Sequence, residues 1–249
     1  MTGRIYRLTP KGKNTKYTIS KKRTALSMLS SPNMAARYIG WQQLNKVGAK
    51  AESTLGKLWK GDDQRLRARA LHLLARIKGL EKKYIGAALK DANPDIRITG
   101  LRIARERGFD VIPLVKQLVS DKDSAVRREC AIALRHNDSP ATPALWAKLA
   151  QQHDGADRWY LEALGLALDR QQDKFFGAWL EAVGSNWDTP AGRDIVWRSR
   201  SSKTPDLLVK ILLNEKTTEE EKPRYIRALD FQSGPEKDAA LIKLLGAGS

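Results

Sequence analysis

The stretch Asn93–Gly108, NPDIRITGLRIARERG, decides the fold. A polar turn opens it, and Arg97 follows Asn93 by four residues, set between Ile96 and Ile98. An arginine there lies on or beside the apolar face of a helix instead of out in solvent. The arrangement recurs: NMAARYIGWQQL holds Arg37, DQRLRARALHLL holds Arg67 and DSAVRRECAIAL holds Arg127. These four arginines are 30 residues apart, and Arg158, Arg193 and Arg224 continue the series with slightly longer gaps. Self-similarity at a fixed period marks a repeat protein, in which each unit packs only on its neighbours.

Each unit reads as two helices. The second opens on a polar residue placed to accept from free N–H groups: Asn33, Asp63, Asn93, Asp123 and Asp154. Apolar residues then follow at one-face spacing, as in Ile39, Trp41 and Leu44, or Leu101 and Ile103. Three residues after the first four arginines stand Gly40, Ala70, Gly100 and Cys130, small enough for a neighbouring helix to pass close by. The first helices fall at about 21–30, 49–60, 80–90, 110–120, 141–152, 171–183, 204–214 and 236–245. The expectation is an all-α, right-handed solenoid of roughly seven short two-helix repeats over 21–249, preceded by an extended segment, 1–20. The arginines Arg37, Arg67, Arg97, Arg127, Arg158, Arg193 and Arg224 then form a ladder. Their stems run along apolar neighbours, and their guanidiniums fork onto helix-end carbonyls or the caps of the next repeat.

Composition narrows the function. No apolar run is long enough to cross a bilayer, so membrane insertion is not expected. MTGRIYRLTPKGKNTKY has no apolar h-region, so no signal peptide is expected in this stretch. A single cysteine excludes an internal disulfide, and no histidine has metal-ligand spacing, so neither a metal nor a cofactor is expected in this chain. The net charge is +17, and all the excess lies in the first 108 residues. Residues 1–24 carry eight Lys/Arg and no acid, 25–108 carry seventeen against seven, and 109–249 carry twenty against twenty-one. Such a gradient fits a solvated basic surface or an anionic partner.

The two-helix units with an Asp/Asn turn and an arginine entry resemble short HEAT-like repeats over about 21–245. A narrower likeness rests on GRIYRLTPKGK, RECAIALRH, HDGADRWYLEALGLALD and TPAGRDIVWRSR. These resemble large bacterial membrane-bound dehydrogenase or PVC-type haem-binding proteins, in which a sugar-dehydrogenase-like propeller precedes a HEAT array and a c-type cytochrome. That resemblance implies a spacer from a longer, periplasmic parent, with 1–20 as the remnant of the propeller exit. Haem is implied only for the parent, since Cys130 alone cannot make a C-x-x-C-H motif.

The candidate partner patch is Trp159, Tyr160, Trp187, Trp197 and Arg198, read as lying on neighbouring second helices, with Arg193 able to stack on Trp197. Its bland reading is an aromatic repeat interface. Asp157, Glu162 and Asp194 invite a catalytic reading, but no nucleophile, phosphate loop or metal set accompanies them. No catalytic residue is assigned. A protein partner or neighbouring domain is the leading expectation. The alternative is a nucleic-acid-binding array resembling the alkylpurine DNA glycosylases, with Arg65, Arg69, Lys82, Lys83 and Arg105 as anion contacts. Against it, no basic stripe interleaved with aromatics is evident in the N-terminal half.

Overall fold

The computed structural model of the chain describes residues 24–247, so the expected extended segment 1–20 lies outside the described residues. The described residues are helical, with no strand among them. They divide into two compact units between Ile77 and Lys78.

The first unit holds α1 (Ala25–Leu29), α2 (Met34–Val47), α3 (Glu52–Trp59) and α4 (Gln64–Leu74), with a 3-10 turn at Gly48–Ala51. Here α1 packs on α2, α3 on α4, and α4 on α2. The close approach at α1 and α2 depends on Gly40, where a Cβ would come within 2.7 Å of the Ala25 carbonyl oxygen.

The second unit begins with α5 (Glu81–Ala88), α6 (Pro94–Glu106), α7 (Ile112–Leu118), α8 (Ser124–Leu134), α9 (Thr142–Ala150) and α10 (Arg158–Ala167). It continues with α11 (Gln172–Val183), α12 (Pro190–Arg198), α13 (Thr204–Leu212), α14 (Lys222–Leu229) and α15 (Pro235–Ala247). Two layers result. The second helices α6, α8, α10, α12 and α14 contact one another in order, while α7, α9 and α11 stack behind them and α15 lies on α13. Between the layers sits an apolar core that becomes aromatic along the chain, with Trp146, Phe175, Phe176 and Trp179 buried. The buried Trp146 keeps its indole N–H satisfied by donating to the Leu164 carbonyl at 3.1 Å.

The helix starts follow from capping chemistry. Asn33, Asp63, Asn93 and Asp123 are N-caps whose side-chain oxygens accept from backbone N–H groups two or three residues on. The fifth cap is not Asp154. Asp154 accepts from Ala156 N–H in the preceding turn, and α10 starts after Asp157, which caps Tyr160 N–H at 3.0 Å. That three-residue shift moves Arg158 to the first helical position, where its side chain is 79 % exposed. Leu161, buried, takes the place that arginine holds in the earlier repeats.

Candidate functional site

The arginines are best read one at a time. Arg37 donates through Nη1 to the carbonyls of Ser31 (2.8 Å) and Pro32 (2.9 Å). Arg67 donates through Nε to the Trp59 carbonyl and lies over that indole ring. Arg97 takes the carbonyls of Asp91 and Ala92 through Nη1 and grips Asp121 with Nε (2.8 Å) and Nη2 (2.7 Å). Arg127 donates through Nη1 to the Asp121 carbonyl and covers the Tyr160 ring, while its buried Nε makes no hydrogen bond among the described residues. Each of these four closes the end of the turn or helix before its own helix. The other three differ. Arg193 pairs with Asp188 and donates to Thr217, Arg224 pairs with Asp194, and Arg158 meets Glu162 at 3.7 Å.

The five patch residues do not gather. Tyr160 is buried, its hydroxyl donating to the Leu149 carbonyl. Trp187 lies in the 3-10 turn Gly184–Trp187 and not on a second helix. Trp197, the ring that its spacing left open to Arg193, is covered by Arg224 at 4.7 Å. Arg198 crosses to α10 and pairs with Glu162 at 3.1 Å. Trp159 alone stands out, 70 % exposed on α10.

Trp159 borders a cleft of about 460 Å³ running over α6, α8 and α10. Its apolar lining includes Ile98, Ile132 and Leu166, and Arg102, Arg128, Glu129 and Glu162 also line it. The register explains the juxtaposition. Ile98, Arg128 and Glu162 each stand five residues past their caps, and Arg102, Ile132 and Leu166 nine past. Adjacent helices in one register therefore lay these rows side by side. The carboxylates around it are held in ion pairs: buried Glu129 accepts from Arg102 Nε at 2.7 Å. Arg105 Nη1 comes within 3.1 Å of the other Glu129 oxygen, an ion-pair contact off hydrogen-bond alignment. Asp157 faces Arg128, and Glu162 faces Arg158 and Arg198. Five guanidiniums thus answer three carboxylates on this face.

The acids once open to a catalytic reading are all engaged. Asp194 accepts from Arg224 and lies 3.0 Å from Nε2 of buried His153. Burial pushes the Asp194 carboxyl up, but the His153 and Arg224 hydrogen bonds outweigh it and hold it below the usual range. His153 escaped the sequence reading because its partner lies 41 residues away. Glu129 escaped likewise, although its place in α8 faces two arginines of α6.

Of the expected anion contacts, Arg105 is turned toward Glu129, Lys83 lies over the Tyr84 ring, and Lys82 is exposed on α5. In the first unit Arg65 is exposed, and Arg69 donates to the Leu29 carbonyl. No group of three or more potential metal ligands occurs among the described residues. No helix among them is long and apolar enough to cross a membrane.

Residues 83–165 match the family described as HEAT repeats, a stretch running from α5 into α10 and about a third of the chain. The cleft lies almost wholly inside it, with only Leu166 beyond. No curated protein matches the chain.

Proposed function

We propose that this chain is a non-catalytic repeat scaffold whose α6–α8–α10 face docks a protein segment that pairs an apolar side chain with carboxylates. One observation carries the reading: an exposed tryptophan borders an apolar cleft beside an ion-pair network in which five guanidiniums share three carboxylates. Tryptophan and arginine dominate binding hot spots, and a guanidinium with N–H groups left over can donate them to a second carboxylate. HEAT repeats commonly mediate protein–protein interaction, which supports the same reading. The engagement of Asp157, Glu162 and Asp194 in caps and ion pairs supports a non-catalytic role.

Selection from a displayed library of random peptides tests it. The expected consensus joins an aromatic or aliphatic residue to flanking acids, and Trp159→Ala weakens the selected peptides by about 30-fold, the hot-spot scale. No enrichment, or peptides indifferent to Trp159→Ala, overturns the docking face.

A finer form of the reading sets the array as the spacer between a propeller domain and a c-type cytochrome in one parent chain. Its support is the likeness carried by GRIYRLTPKGK and TPAGRDIVWRSR. A parent reading frame with neither a propeller before this segment nor a C-x-x-C-H motif after it removes that form and leaves the docking face standing.

A further inference from the structure

The first unit carries a second surface that the docking face does not use. Along α2, Met34, Tyr38 and Trp41 fall on one side, four and three residues apart, and border an apolar hollow of about 360 Å³ floored by Leu29. Met34 is 75 % exposed and Tyr38 59 % exposed. The Tyr38 and Trp41 rings are parallel to within 4°, their centroids 6.4 Å apart. Arg37 and Arg69 line the same hollow, and Arg76 lies over the Trp41 ring at 5.2 Å.

The arginines around these rings are held by carbonyls and a ring face. Arg37 spends its hydrogen bonds on the carbonyls of Ser31 and Pro32, Arg69 on that of Leu29, and Arg76 on a ring face. None of the three forms an ion pair with a carboxylate among the described residues. Burial and the neighbouring Arg37 both push the Arg69 guanidinium down from its ordinary value. Asp63 is the carboxylate whose field acts on Arg69, and its side chain is already committed to capping α4. An arriving anion would relieve that repulsion. The chain's first 24 residues, with eight Lys/Arg and no acid, have the wrong sign to supply it.

We infer that this surface binds single-stranded nucleic acid, with a base stacked on Tyr38 beside Trp41 and the adjoining phosphate at Arg37 and Arg69. A single strand offers a flat ring and an anion within one nucleotide, and aromatic platforms flanked by basic groups take bases of any identity. An acidic peptide supplies the anion, but only an aromatic residue beside it supplies the flat ring. The charge gradient agrees, since the whole excess of positive charge falls within residues 1–108, which include this unit. The sequence hid the site because Trp41 falls on the apolar period of α2, where it reads as core. Arg37 shares α2 with both rings, and the packing of α4 on α2 brings Arg69 beside them.

The test is fluorescence anisotropy of the full chain with a labelled twelve-nucleotide oligothymidine over a salt series. Binding that weakens linearly in log salt is expected. Tyr38→Ala should weaken it by about five-fold or more, the lower bound for losing one stacked base, while Tyr38→Phe keeps it. Tyr38 makes no hydrogen bond among the described residues, and its ring is largely exposed, so the alanine variant should keep the wild-type melting midpoint. Three results overturn the inference: no binding at low salt, binding indifferent to Tyr38→Ala, or displacement of the oligonucleotide by a glutamate- and tyrosine-containing peptide at equal concentration. The last assigns the hollow to an acidic peptide. None of the three bears on the Trp159 cleft, which lies in the other unit.

Discussion

Replacing Arg97 with alanine strips Asp121 of a two-point guanidinium partner and leaves two turn carbonyls without their donor. Both charged side chains are largely buried, 7 % and 10 % exposed. The expected loss is about 3–5 kcal/mol in urea unfolding, the scale for breaking a buried pair from one side. Arg97→Lys should recover part of it, because a point charge cannot reproduce a planar fork. Arg158→Ala, by contrast, removes an exposed pair and should cost no more than about 0.5 kcal/mol. Equal losses at the two positions would sink the distinction. Acid should probe the same pair. Burial pushes the Asp121 carboxyl up, but the hydrogen bond from Arg97, helped by Asp123 N–H, overrides it and holds the group below its ordinary 3.8. A depressed folded value means the contribution is complete above the unfolded pKa and fades as pH falls through the folded one. The deficit of Arg97→Ala should therefore shrink between about pH 6 and pH 2. A deficit constant over that range counts against the pair. The repeating arginines at Arg37, Arg67, Arg97 and Arg127 were legible because the 30-residue period preserves their distance from a cap. Arg158 misled because it keeps nearly the same interval while the helix beneath it starts three residues late.

Helix approach is decided by what has no side chain. In α6, a Cβ at Gly100 would stand 2.8 Å from the Ala88 Cβ of α5, closer than real Cβ atoms come. Gly100→Ala should force the two helices apart and cost about 1–3 kcal/mol, as overpacking does. Gly86 in the middle of α5 meets nothing within 4 Å, so Gly86→Ala should stabilise the chain by about 0.5–1 kcal/mol through helix propensity. Thermal melts of both variants read the opposite signs, and a shared sign refutes the packing account. The first helices were found in the sequence to within a few residues because glycines and short polar turns bound them. The start of α10 was not, because Asp154 and Asp157 are the same residue type three apart and nothing local to the sequence ranks one cap above the other.

Over the whole chain, the two compact units set the expectation for unfolding. A linear array of nearest-neighbour contacts melts in one step only while its interfaces are uniformly strong. Among the described residues the first unit has no fully buried aromatic, and the second holds Trp146, Phe175, Phe176 and Trp179. Urea unfolding followed by far-UV dichroism and by tryptophan fluorescence should give transitions that do not coincide. Coincident curves would mean that the units fold as one. The all-helical repeat architecture was legible from period and caps, whereas both candidate surfaces were not. Exposure at Trp159 and Tyr38 depends on which neighbour covers a helix face, and no single-helix pattern records that. Tyr160, next to Trp159 in the chain, is buried.

Cys130 turns the middle of the array into a clock. The chain's only thiol sits on α8 with no exposed surface, at the level where α6 and α10 flank that helix, and burial pushes it well above the usual thiol range. A thiol-reactive dye can tick only during the intervals when α8 parts from its neighbours. The labelling rate divided by that of the unfolded chain is then the fraction of time spent open, each factor of ten corresponding to about 1.4 kcal/mol. If α8 is released only when the whole unit unfolds, Arg97→Ala must quicken the clock by the full factor that its loss of stability dictates. If α8 breathes by itself, the clock runs ahead of global unfolding, and the substitution changes its pace far less.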